Sequence, residues 1–419
     1  MTRMPDQVSR HVAPRLEEAT NAFRAVVVNG PRQSGKSTLL REMYRRTGGA
    51  LHDLDAEPLL EAARADPLAL VTGAEGHIYI DEVHRGGDAL VRAIKQVVDD
   101  PRRSTRFVLA GSTNFLTVPS ISESLAGRAV FVEVWPFSQG EIVGGSDAFL
   151  DRVVQDPEEL RVHAPPAQTR RSHLERVAAG GFPEPLRLPS QRLRSTWFRS
   201  YVDTLTQRDI VELSRVRQAA ELPRLLRYLA GETSHELIVT KLAHEIGLDR
   251  STLTNYLPLL ATVFLTRELP AWSRNPLGKV TQRPKVHLCD TGVAAALHGV
   301  TAEALERPIS PLRGQLVESF VHNELVKQRT WCEEDVELYH WRDRDGAEVD
   351  LILETADGRV CGVEVKSSSS VSGGDFAWLR KLESRLGNQF RHGVVVYLGD
   401  RVLSFGPRMT AVPLSAIWA

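Results

Sequence analysis

The octapeptide GPRQSGKS, residues 30–37, limits the fold of this chain more than any other feature. It fits G-x-x-x-x-G-K-[ST] at each fixed position. It also follows an apolar run, AFRAVVVNG, and opens KSTLLREMYRRT, which has helical spacing. A strand, a glycine loop and a helix in that order make a cradle for phosphate. Gly30 and Gly35 let the intervening Pro31, Arg32, Gln33 and Ser34 turn their backbone inward, with N–H groups toward phosphate oxygens. Lys36 brings a point charge to the β- and γ-phosphates, Ser37 offers a hydroxyl to Mg2+ beside Thr38, and the helix N-terminus adds its dipole. ATP and Mg2+ are the expected ligands.

The next two apolar runs extend the same logic. HIYIDEVHR (77–85) and RFVLAGSTN (106–114) read as strands of the continuously buried kind, separated by helical patterns such as GGDALVRAIKQVVDD. Alternating strand and helix predicts an α/β layer, a parallel sheet with helices on both faces. Asp81 and Glu82 end the first run, where an acid of a parallel strand faces the ligand crevice. Asp81 is expected to hold Mg2+ through water, and Glu82 to orient the attacking water as general base. Ser112, Thr113 or Asn114 would sense the γ-phosphate. Arg128, in SLAGRAVFVEVW, reads equally as an arginine finger completing a neighbour's site or as a surface arginine.

At 419 residues the chain is long enough for two to four domains. Its net charge of −1 supplies no global positive field, so a polyanion must be met by a local patch. Cys289, Cys332 and Cys361 are far apart and show no zinc spacing, which predicts buried thiols in a reducing, cytoplasmic compartment. No apolar run is long enough for a membrane span, so no membrane partner is expected.

From about residue 146 the pattern turns helical. Further on, VTKLAHEIGLDRSTLTNYLPLLATVFLTREL (239–269) reads helix, turn at Gly247-Leu248-Asp249, helix, strand. A winged helix of this kind would present Arg250, Ser251, Thr252, Asn255 and Tyr256 to DNA. The following stretch, 270–288, carries Arg274, Lys279, Arg283 and Lys285 with no acid among them, and predicts a basic wing. Four phosphate contacts would give a salt slope of about −3.6.

The last segment combines Glu318 on a helical pattern with Asp350 in EVDLIL and Glu364 and Lys366 in VEVK. The last two are two residues apart and share one face of a strand. Clustered carboxylates repel unless a divalent cation neutralises them, so Glu318, Asp350 and Glu364 are expected metal ligands, with Lys366 beside a phosphodiester. Against cleavage, residues 313–419 hold 13 Lys and Arg and 16 Asp and Glu, an acidic balance for a DNA-gripping domain.

Residues 20–145 resemble the AAA+ ATPases, with Walker A at 30–38, Walker B at 78–82 and a sensor-1-like strand at 107–114. In finer detail GPRQSGKST, IDEVH, GSTN, LAGR, GGFPE and QRDI, in that order, resemble a bacterial and archaeal family that joins such an ATPase to a C-terminal PD-(D/E)xK, restriction-endonuclease-like domain. The resemblance implies an AAA+ core at 1–145, a helical lid at 146–235, a winged-helix domain at 236–306 and a nuclease-like domain at 307–419. It implies an ATPase that binds and processes DNA, branched DNA such as Holliday junctions included, as a homo-oligomer with a hexameric ring among the expected forms. The alternative is a nucleotide-controlled switch, or a defence or regulatory ATPase, whose nuclease-like domain is an inert recognition module.

Overall fold

A computed structural model describes residues 8–112, 125–162, 165, 167–213 and 219–419. By internal contacts the chain divides into two units, residues 9–136 with 261–264, and residues 137–260 with 265–419.

The first unit is built on a parallel sheet. Strands β1 (Ala25–Asn29), β2 (Ala50–Asp53), β3 (His77–Asp81), β4 (Arg106–Ala110) and β5 (Ala129–Glu133) lie in the order β2-β3-β4-β1-β5, with every neighbouring pair parallel. The three strands read from the sequence are the central ones. Their near-continuous apolar runs fit burial on both faces, and β1 is buried at all five positions. Helix Gly87–Asp99 lays Leu90, Val91, Ile94 and Val97 into the core with Ile78, Ile80, Phe107 and Leu109. β2 and β5 are the edges, and each of their residues is only half-buried.

The second unit includes helices Arg170–Ala179, Gln191–Thr204, Leu222–Gly231 and Thr291–His298. Before the last of these helices the chain forms a small antiparallel sheet: β6 (His235–Glu236), β7 (Thr266–Leu269) and β8 (Lys285–Leu288), in the order β6-β8-β7. Helices Val239–Ile246 and Arg250–Thr262 precede β7, and Gly247 turns between them at φ +65°. The expected helix-turn-helix-strand order is therefore present. Within 270–288, expected as a wing, the chain forms a short helix at Pro276–Thr281 and then β8.

The C-terminal part is helix Arg313–Arg329, then strands β9 (Val336–Arg342), β10 (Glu348–Thr355) and β11 (Val360–Lys366), helix Ala377–Leu386, and β12 (Phe390–Tyr397), β13 (Leu403–Ser404) and β14 (Met409–Pro413). The sheet order is β13-β14-β12-β11-β10-β9. β9, β10 and β11 are antiparallel, and β12 joins β11 in parallel. β10 and β11 are joined by a tight turn at Asp357-Gly358, with Gly358 at φ +82°.

Buried polar groups tie helix Arg313–Arg329 to the segments around it. Glu324 accepts from the Gln139 N–H at 2.7 Å, Lys327 donates to the Phe137 carbonyl at 3.0 Å, and Gln328 bridges Leu150 N–H and Ile417 C=O. The GGFPE glycines serve a similar junction. Asp290 caps helix Thr291–His298 through the Gly292 N–H and also accepts from the Gly181 N–H at 2.7 Å. A Cβ on Gly180 would sit 1.9 Å from the Asp290 carboxylate, and Gly180 has φ +69°.

All three cysteines are free and buried, as expected. Among the described residues no helix is long and apolar enough to cross a membrane.

Candidate active site and the C-terminal carboxylate cluster

The phosphate loop joins β1 to helix Lys36–Thr47, which begins at Lys36 with Gly35 as a left-handed N-cap. Gly30 has φ +151°, and a Cβ there would meet the Val134 carbonyl at 2.1 Å, so only glycine fits. Lys36 donates to the Gly30 and Pro31 carbonyls at 2.9 and 2.7 Å, which curls the loop around its ammonium. Burial holds Lys36 down at about 8, against the opposing pull of Glu82 and Asp81. Ser34 Oγ within the loop and Asn29 Oδ1 just before it are buried polar atoms with no protein partner among the described residues. A loop with a glycine-only approach, a central lysine and polar atoms to spare fits a nucleotide phosphate.

Asp81 closes β3 and is buried, and its Oδ1 accepts from the Glu82 N–H at 3.1 Å. Glu82 stands in the left-handed region at φ 49°, ψ 45°, an uncommon conformation for glutamate that turns its side chain off the strand end. Its carboxylate accepts from Ser112 Oγ at 3.3 Å, and His84 Nδ1 lies 3.3 Å away. Ser112, expected as a γ-phosphate sensor, thus stands at the Walker B end; Thr113 and Asn114 lie outside the described residues. The sequence offered no signal for Arg10. This buried guanidinium donates to the Ser34 carbonyl of the loop at 2.8 Å and to the Trp135 carbonyl at 2.7 Å.

Arg128 lies just before β5, whose first residue pairs with the first residue of β1. The phosphate loop leaves the other end of β1, about 16 Å of strand away. Arg128 cannot reach its own loop, and here its guanidinium binds Asp99 at 2.6 and 3.0 Å.

On the helix-turn-helix, Arg250, Ser251 and Asn255 are exposed, whereas Tyr256 is buried. Of the four expected wing cations, Arg283 is exposed and Arg274 is exposed with a bond to Gln389. Lys279 is paired with Glu354 and packs over the Tyr339 ring. The expectation for Lys285 fails. It sits inside β8 with only 2% of its side chain exposed, because its ammonium is bound by acids of the C-terminal segment.

Two of those acids, Glu318 and Asp350, are expected metal ligands; the third, Glu348, was not expected. Lys285 Nζ lies 2.7 Å from Glu318 Oε1, 2.7 Å from Glu348 Oε1 and 3.6 Å from Asp350 Oδ1. Asp350 and Glu364 face each other across the β10–β11 pairing, whose register sets Leu351 opposite Val363. Asp350 Oδ2 accepts from the Val365 N–H at 2.8 Å, and Glu364 Oε1 binds Lys366 at 2.9 Å. Burial, with Asp350 close by, pushes Glu318 and Glu364 each up to about 8. Burial works against the Lys285 charge, but Glu318, Asp350 and Glu348 together hold it well above the usual lysine value. The nuclease resemblance implies a divalent ion here, and the residues do not fit one. Among the described residues no three acid, histidine or cysteine side chains converge as metal ligands would, and an ammonium fills the space between the carboxylates. The sequence reading missed Glu348, although its place on the same strand face as Asp350, two residues on, was a signal for it.

Comparison with known proteins gives three matches to family models. An AAA domain covers residues 22–143. Two domains of unknown function, DUF8612 and DUF4143, cover 170–304 and 313–417. The N-terminal segment is thus an AAA-type P-loop ATPase domain. Two curated mycobacterial relatives, the uncharacterized proteins Rv2008c of Mycobacterium tuberculosis and Mb2031c of Mycobacterium bovis, are each 32% identical over 97% of this chain and 84% of their own. Among solved structures, the Walker-type ATPase PABY2304 of Pyrococcus abyssi has a TM-score of 0.44 at 18% identity, covering 71% of this chain and 97% of that one. The Thermotoga maritima RuvB Holliday junction branch migration motor has a TM-score of 0.31 at 18% identity, covering 66% and 92%. Both structural likenesses are too weak to assign an activity.

Proposed function

We propose that this chain, which belongs to one family with the mycobacterial proteins Rv2008c and Mb2031c, couples Mg2+-dependent ATP turnover to DNA binding. The observation that carries the reading is the pairing of a complete phosphate loop and Walker acids with a helix-turn-helix whose Arg250, Ser251 and Asn255 are exposed. In the ATPase site Lys36 would leave the Gly30 and Pro31 carbonyls for the β- and γ-phosphates. The loop N–H groups from Pro31 to Lys36 (proline apart) would hold the phosphate oxygens. Ser37 and Asp81 would hold Mg2+, which when bound neutralises charge on the phosphates. Glu82, steadied by Ser112, would orient the attacking water and take its proton. Arg128 would act in trans: its distance from its own loop supports a homo-oligomer, a hexameric ring included, in which it leaves Asp99 to reach a neighbour's γ-phosphate.

The proposed partner is DNA. A four-way junction is the branched form to try first, because an AAA core, helices and a helix-turn-helix stand in one chain with the carboxylates that carry the nuclease resemblance. The remaining cations narrow the footprint. With Lys285 buried and Lys279 paired, Arg250, Arg274 and Arg283 make three phosphate contacts, a salt slope of about −2.7. Binding of four-way, forked and linear duplexes, with a non-hydrolysable ATP analogue across a salt series, tests this. Equal and negligible binding to all three would reject DNA as the partner. Buried free thiols and the lack of a spanning helix among the described residues fit a cytoplasmic site of action.

A further inference from the structure

We propose that Lys285 is the resident cation of the C-terminal carboxylate cluster, standing permanently in the place of a divalent ion and turning a nuclease-like centre into a structural anchor. An ammonium has three donors. Glu318 and Glu348 take two at 2.7 Å, and Asp350 faces the third at 3.6 Å. The remaining charge is compensated nearby: Arg342 lies 3.8 Å from Glu348, the Val365 N–H binds Asp350, and Lys366 binds Glu364. The acceptor left over is Glu364 Oε2, buried and without a partner among the described residues. One free oxygen does not make a magnesium site, which needs near-octahedral oxygen ligation.

The lysine is not a retractable plug. Its backbone lies in the middle strand of a three-stranded sheet, with Lys285 paired to Glu236 on one side and Leu269 on the other. All four residues of β8 are buried. The segment leading into it is fastened to the C-terminal sheet along its length. Trp272 N–H donates to the His340 carbonyl at 2.6 Å, His340 N–H donates to Pro270 at 2.9 Å, and the His340 ring meets the Arg283 carbonyl at 3.0 Å. Lys279 pairs with Glu354 further along β10. Withdrawing Lys285 would open the small sheet and leave buried carboxylates facing one another, which is strongly unfavourable.

The test is Mn2+ binding by the full chain without nucleotide, in a Lys36→Ala background that removes the phosphate-loop lysine. Electron paramagnetic resonance reads free Mn2+, and thermal unfolding is followed in parallel. The Lys285 chain should show no Asp350-dependent Mn2+ binding. Lys285→Ala should unfold at lower temperature, gain at least tenfold in Mn2+ affinity, and recover stability when Mn2+ is added. Adding Asp350→Asn to Lys285→Ala should abolish that gain. Mn2+ binding with Lys285 intact that Asp350→Asn removes overturns the proposal, as does a folded Lys285→Ala chain with no gain. Should Lys285→Ala not fold, the comparison of the Lys285 chain with and without Asp350→Asn decides alone: identical Mn2+ responses support the resident lysine, and an Asp350-dependent one overturns it.

Discussion

At the scale of single residues, Lys36 sets the chemistry of the phosphate loop. Its folded value near 8 lies below the usual lysine range, so it loses its charge as pH rises through about 8. A bound triphosphate favours the charged form. Nucleotide binding above that point must therefore take up a proton, and affinity falls with rising pH by up to about tenfold per unit. Isothermal titration between pH 7 and 9 should show this decline, and a flat profile would contradict it. Glu82→Gln keeps the shape of the side chain but removes the base, so nucleotide should bind while turnover drops at least about 100-fold in a phosphate-release assay. The ATP site was legible because its residues are contiguous in two short motifs. Lys285 was not, because its partners lie on a helix and a strand far along the chain, and the sequence shows only a lysine among other cations. Arg10 escaped notice for the same reason: an arginine bonded to carbonyls leaves no pattern.

At the scale of elements, burial on both faces decided what could be read. β1, β3 and β4 are central and nearly all apolar, so they stand out. β2, with the sequence ALHD, is a half-buried edge whose polar residues give no periodic signal, and no strand was expected there. β5 was seen only as the context of Arg128. The helix-turn-helix was legible from its apolar spacing and Gly247, but the supposed wing was not, since its fold depends on pairing with β9 and on the acids that hold Lys285. The GGFPE motif marked a family without a reason, and the Asp290 junction supplies one. Asp290→Ala leaves the Gly181 and Gly292 N–H groups without their acceptor, at a cost of about 1–3 kcal/mol each. Urea unfolding should show that loss, whereas an unchanged midpoint would mean the junction is not needed. Gly180→Ala should be as damaging, because its Cβ collides with the same carboxylate.

At the scale of the whole molecule, the sequence indicated an ATPase core followed by helical and mixed segments, but not how the latter pack. Helix Arg313–Arg329 buries Glu324, Lys327 and Gln328 against residues around 137–150, an association between distant segments that local patterns cannot show. In the proposed function the ATPase is the engine and the helix-turn-helix its contact with DNA. If Arg128 acts in trans, Arg128→Ala should lower turnover per chain and also abolish any rise in specific activity with protein concentration. The most direct test of the central claim is steady-state phosphate release at fixed low salt, with and without four-way junction DNA. Turnover should rise at least severalfold with DNA, vanish in Lys36→Ala, and lose the DNA-dependent increment in an Arg250→Ala, Asn255→Ala double variant. A wild-type rate indifferent to four-way, forked and linear DNA alike would contradict it.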